Sequence, residues 1–285
     1  MINFHKFSFY DVKRLQKILE GKNYWLNELN PTKIFLSSIN TSMEISFTVD
    51  VTYIRIFLDD VGFCYYPPIC SVNKITGALE DIKADCRERG IEYNLIYISE
   101  EEIFNYEKYN YELFPYQGNL IYLSSELANN GLFKKRHYKK RCKVFMNKYP
   151  DIFPKKLTKE DLNEVMLFLD LNYENKNSKE YFYLVNYVKN LIEHLYELEL
   201  KGLIYRDEKN IYGIIVCSEI GNLFDVNLLF TKNELGCKEA IINEFAKLAS
   251  AKTKYISLER KSIIDLELPL AFKEIKYYTN FKYEG

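Results

Sequence analysis

Between Lys134 and Lys143 the chain reads KKRHYKKRCK, in which seven of ten residues are Lys or Arg and none is acidic. Wound into a helix, Arg136, Lys140 and Lys143 share one face, with Lys135 and Lys139 beside it. Phosphate oxygens suit such a face, Arg binding them bidentately and Lys as a point charge. A solvated, Lys-rich helix is the plainer reading of the same letters. A second anion site is offered by TKNELGCKEA, where Gly236 and Lys238 stand at the turn into a helix whose orphan amides and dipole favour negative charge. Glu234 opposes it, and the turn lacks the several glycines of a dedicated phosphate loop. For proton transfer the chain offers Glu259, at the end of the strand-like KYISLE, as a base for an amine nucleophile. Tyr277 or Tyr278 can act as the acid, and Lys232 can stabilise developing negative charge. Glu, Lys and Tyr are all abundant here, so each has a structural reading beside the catalytic one.

The six cysteines (64, 70, 86, 142, 217 and 237) form no CxxC pair, and the three histidines are scattered. No metal site is expected, and reduced packing thiols in a cytoplasmic protein are. The N-terminus carries charges within its apolar pattern, unlike a signal peptide, and no apolar run is long enough to span a bilayer. A formal net charge of −1 gives no overall attraction to nucleic acid or anionic lipid, so any basic site must be local.

The elements that would position these groups occur twice in the same order. In the first half, the helix-patterned YDVKRLQKILEG is followed by a stretch through Trp25 to Pro31. Strand-like KIFLSSI, MEISFTV, TYIRIFLDD and GFCYYPPI come next, then the helix KITGALEDIKADCRER closed by Gly90, and the strand EYNLIYIS. In the second half, Thr158 with Asp161 caps a helix, and a long amphipathic helix follows that ends at Gly202. Three strands come next, turning at Asp207–Asn210 and Gly221–Asn222, then the helix ELGCKEAIINEFAKLASAK and the strand KYISLE. This order, strand, two helices, three antiparallel strands, helix, strand, is that of the GNAT acyltransferase fold. The expectation is an α+β chain of two tandem GNAT-like domains, each a mixed, mainly antiparallel sheet flanked by helices. Their expected limits are 1–130 and 151–285, joined by a basic helix over 131–150.

Three segments resemble the LPG_synthase_C (DUF2156) family. In GNLIYLSSELANNGLFKKRHYKKRCKVFMNKYP the matching positions are Tyr122, Leu127, Ala128, Gly131, Lys140, Arg141, Phe145, Tyr149 and Pro150. In FTKNELGCKEAIINEF they are Lys232, Gly236, Ile242, Asn243 and Phe245, and in KYISLERK they are Tyr255, Ile256 and Glu259. The family pattern has Asn at Cys142, Arg at Leu258 and an acid at Lys261. The family is named for the catalytic part of phosphatidylglycerol lysyltransferases, which move an aminoacyl group from tRNA to a lipid, and is similar to Fem-type aminoacyltransferases.

The resemblance implies a transferase moving an acyl group from aminoacyl-tRNA or acyl-coenzyme A to an amine or hydroxyl acceptor at the inter-domain cleft. The acceptor would be a small molecule, a peptide or a lipid headgroup, and tRNA a partner. Arg136, Lys140, Arg141, Gly236 and Lys238 would hold the donor, and Glu259, Lys232 and Tyr277 would carry the chemistry. The departures at Cys142, Leu258 and Lys261 favour the alternative, a non-catalytic GNAT-like protein binding RNA or a small anion.

Overall fold

The computed structural model describes residues 1–20, 27–107, 112–129, 136–266 and 268–282. Trp25, Gly131, Lys134 and Lys135 lie outside the described residues. The chain divides into two compact units, Met1–Gly118 with Ile275–Gly285, and Asn119–Glu274.

Unit 1 begins with β1 (His5–Lys6), α1 (Phe9–Leu19) and α2 (Pro31–Ser38), followed by the hairpin strands β2 (Met43–Phe47), β3 (Thr52–Leu58) and β4 (Gly62–Tyr65). The four strands pair antiparallel in chain order. The strand expected from KIFLSSI is α2 instead. Pro31 takes the first helical position, where its missing N–H costs nothing, and the Asn30 side chain caps the Thr32 amide at 3.0 Å. Helix α3 (Ile75–Arg89) ends as expected at Gly90, whose φ of +67° places it in the left-handed region. EYNLIYIS contributes only a short β5 (Ile98–Ser99), followed by α4 (Ile103–Glu107).

β6 (Phe114–Leu123) leads into unit 2, which continues through α5 (Ser124–Ala128), α6 (Arg136–Lys148), β7 (Phe153–Lys156), α7 (Leu162–Asn172) and α8 (Lys179–Glu193). Three antiparallel strands follow, β8 (Lys201–Arg206), β9 (Ile211–Ile220) and β10 (Leu223–Thr231), then α9 (Cys237–Ala249), β11 (Tyr255–Leu258) and α10 (Arg260–Ile263). Within unit 2 the strand order is β6-β11-β10-β9-β8-β7, antiparallel except for the parallel pair β10/β11. The last strand, β12 (Lys273–Thr279), pairs with β5 through Tyr277↔Ser99 and Tyr278↔Ile98.

Thr158 and Asp161 form the expected capping box ahead of α7. The long helix expected to run to Gly202 stops at Glu193, and Gly202 lies inside β8. A Cβ there would sit 2.7 Å from Leu157 Cδ2, so this glycine serves strand packing rather than helix termination.

The α+β architecture and the repeated element order are as expected, but the compact units divide the chain at other points than 130 and 150. The basic segment is not a free linker: α6 buries Tyr138, Cys142 and Phe145 in one core with Ala240, Ile241 and Phe245 of α9. Removing a large apolar side chain from water contributes about 1.5–3 kcal/mol, enough to hold α6 within unit 2. The end of the chain, through β12, goes with unit 1 because it pairs with β5.

Candidate functional site

The parallel strand pair of β10 and β11 in unit 2 is short. β10 and β11 are in register at Leu223↔Tyr255, Phe224↔Ile256 and Asp225↔Ser257, where the pairing ends. Beyond that point β10 continues along β9 as far as Thr231↔Gly213, and β11 stays with β6 through Leu258↔Leu120. Each strand is thus held on its outer side while the inner edges part. A bulge at Asn227, between Val226 and Leu228 in the β9 register, adds a bend to β10 at the same level.

Polar side chains collect on one face of this opening. Asp225 is opposite Ser218 on β9 and Ser257 on β11, so the three share a face. All three are buried, as is Asn119, whose Nδ2 donates to Ser257 Oγ at 2.5 Å. Asn227 Nδ2 donates to Ser218 Oγ at 3.1 Å and to the Asp225 carbonyl at 3.2 Å, while its buried Oδ1 has no partner among the described residues. Glu259, two residues beyond Ser257, falls on the same face at the exposed end of β11.

From α8, the Tyr187 hydroxyl donates to the Asn227 carbonyl at 3.1 Å. Burial first, then the Glu259 and Asp225 carboxylates, push its pKa upward, so the hydroxyl keeps its proton. The opening therefore offers two carboxylates, a protonated phenol, an unpartnered amide oxygen and parted strand edges.

The other expected residues are placed as follows. Glu259 caps α10: its carbonyl accepts from the Ser262 amide at 3.1 Å and from Ser262 Oγ at 2.7 Å. Lys238 reaches the same short helix, its Nζ donating to the Ser262 carbonyl at 3.0 Å. Lys232 belongs to a different cluster, its ammonium lying 4.5 Å from the centre of the Tyr212 ring. Gly236, with φ of +82°, begins α9 directly beneath α6. Arg141 forms an ion pair with the buried Glu239 at 2.9 Å. Lys140 is exposed, and Arg136 opens α6, its side chain lying outside the described residues.

Tyr277 belongs to unit 1, where its hydroxyl donates to Glu28 and its ring covers Gly118. Cys142 and Cys237 are buried, which pushes both thiols up to about 12 and leaves them unreactive. No group of His, Cys, Asp and Glu among the described residues is arranged to hold a metal ion, and no helix among them is long and apolar enough to cross a membrane.

The structure thus brings Glu259 together with residues that sequence reasoning missed. Asp225 had a signal, as an acid within the apolar run LFDVNLLF. Tyr187 had none, being one of 25 tyrosines.

This fold has counterparts among solved structures. A Bacteroides thetaiotaomicron protein, described as a conserved protein of unknown function, superposes with a TM-score of 0.82 at 16% identity, over 98% of this chain and 99% of that one. The C-terminal DUF2156 domain of a putative lysylphosphatidylglycerol synthetase from Agrobacterium fabrum gives 0.62 at 10% identity, over 95% and 91%. This chain shares the DUF2156 fold. L-PGS from Bacillus licheniformis gives 0.63 at 10% identity, over 94% of this chain and 90% of that one. No family model and no curated protein matches the sequence. At these identities the likeness is one of fold, and the opening between β10 and β11 is read on its own residues.

Proposed function

We propose that unit 2 is an acyl- or aminoacyl-transferase whose reaction centre is the opening between β10 and β11. The observation that carries this reading is the parting of the parallel pair after Asp225 and Ser257, with Glu259 and Tyr187 at the same place. An extended, amide-bearing donor can pair with the freed strand edges as an added strand does. The acceptor nitrogen attacks the donor's acyl carbon, and the bond from that carbon to the leaving sulfur or oxygen breaks. Glu259 takes the proton that the acceptor amine loses as its nitrogen forms the new bond, and Tyr187 supplies one to the leaving group. The fold shared with a lysylphosphatidylglycerol synthetase domain supports an aminoacyl ester as donor; acyl-coenzyme A is the other donor with the required chemistry.

The test is calorimetric titration with acetyl-coenzyme A and, in the same buffer, with charged and uncharged tRNA, followed by turnover with a panel of amines. Preference for charged over uncharged tRNA, or saturable acetyl-coenzyme A binding, supports a transferase and identifies the donor. Glu259→Gln should lose turnover while keeping donor binding. If turnover survives, Glu259 is not the base.

One observation favours a second reading, RNA binding without catalysis. On the outer face of α6, Lys139, Lys140 and Lys143 are exposed and have no carboxylate partner among the described residues. Salt-sensitive binding of charged and uncharged tRNA alike, lost on Lys140→Glu with Lys143→Glu and unaccompanied by turnover, would favour this reading.

A further inference from the structure

Unit 1 contains a groove of about 930 Å³ that the proposed transfer reaction does not use. It forms because β1 pairs with β2 only through His5↔Ile45 and Lys6↔Glu44. Upstream, the chain leaves β2 for α3: the Ile2 amide donates to the buried Asp85 at 2.7 Å, and the Ile2 carbonyl accepts from Arg89 at 2.9 Å. The space between this diverted segment, the end of β2 and one face of α3 is the groove, within the size range of small-molecule sites.

Two observations indicate an occupant. The first is Gly77, inside α3. Every other glycine among the described residues has a local reason: Gly62, Gly90, Gly221 and Gly236 have positive φ, and Gly118, Gly202 and Gly213 are pressed by Tyr277, Leu157 and Ile241. Gly77 has neither a positive φ nor, outside its own helix backbone and chain neighbours, any atom within 4 Å of the place its Cβ would take. Glycine costs up to about 1 kcal/mol relative to alanine in a helix, less in the first turn, where Gly77 stands, and here no contact within the protein offsets that cost. Gly77 lines the groove.

The second observation is Arg14. Lys74 is paired with Asp50, and Tyr53 donates to Asp81 at 2.8 Å. The Arg14 guanidinium rests 4.0 Å from the centre of the Phe47 ring and has no hydrogen bond or ion pair among the described residues. It is an exposed positive charge in the groove wall, resting against an aromatic face and able to bind an oxyanion bidentately.

We infer that this groove binds a small organic anion, its carboxylate or phosphate on Arg14 and its carbon body over Gly77. Asp81 then serves as an acceptor for a hydroxyl or amino group elsewhere on the ligand. Binding here is independent of the transfer chemistry in unit 2.

The test follows the Gly77 amide resonance of the isotope-labelled full chain during titration with phenyl phosphate, benzoate and neutral benzamide at millimolar concentrations. Either anion should shift the resonance saturably and benzamide should not; the tighter anion tells phosphate from carboxylate ligands. Arg14→Gln should weaken the anion at least about tenfold, the equivalent of about 1.4 kcal/mol. Gly77→Ala should raise the melting temperature of the free protein while weakening the same anion, a combination that a purely structural glycine does not produce. The inference is overturned if neither anion shifts the resonance, if benzamide binds as well, or if Gly77→Ala stabilises the protein with anion binding unchanged.

Discussion

The carbonyl oxygen of Arg141 lies 2.3 Å from the place that a Cβ on Gly236 would occupy. Helix α6 therefore rests its backbone on the N-cap residue of α9, and only glycine allows the contact. The positive φ of Gly236 adds a second penalty for any side chain. Gly236→Ala is expected to destabilise unit 2 by about 2–3 kcal/mol, read from the urea midpoint at unchanged m-value.

The Arg141 side chain fastens the same junction. Its partner Glu239 is almost wholly buried, so removing Arg141 leaves an uncompensated charge inside the protein. Arg141→Met should cost about 3 kcal/mol. Combining it with Glu239→Gln should recover most of that loss, because both charges then disappear together. Denaturant unfolding of the two single variants and the double variant checks the coupling.

Much of this architecture could be read from local chemistry. Gly90 after a helical pattern, the Thr158–Asp161 box and the turns at Asp207–Asn210 and Gly221–Asn222 are short-range signals, and the structure follows them. The errors occurred where a residue's meaning depends on distant partners. Gly202 stands where a helix end is expected, yet Leu157, distant in sequence, crowds it within a strand. The position of Glu259 just past a strand is legible in the sequence. Asp225, Asn227 and Tyr187 converge only through strand register and helix packing, which the linear pattern does not encode.

Acid should loosen unit 1 through Asp85. Burial raises the pKa of this carboxyl, but hydrogen bonds from Arg89, Tyr65 and the Ile2 amide outweigh burial and hold it below the usual carboxylate range. A carboxyl depressed in the folded state contributes stability above its unfolded pKa of about 4 and loses it as pH falls through the lower folded value. Urea midpoints should therefore drop below about pH 4. Asp85→Asn should be less stable near neutrality, by about 3 kcal/mol, and should show a flatter acid limb than the wild type. An unchanged acid limb in the variant would assign the acid sensitivity to other carboxyls.

Tyr187 separates chemistry from architecture at the opening between β10 and β11. Its hydroxyl donates to the Asn227 carbonyl, and its raised pKa keeps it in the protonated form. Tyr187→Phe removes both roles and leaves the ring in place. The lost hydrogen bond should cost about 1 kcal/mol of stability, whereas loss of a general acid should lower kcat about 100-fold with little change in donor affinity. The size of the kcat effect should follow the leaving group. A good leaving group, such as an activated aryl ester, needs no proton and should restore the variant's rate toward that of the wild type. If the variant stays equally slow with the activated donor, Tyr187 acts on the shape of the β10 bulge and not as an acid.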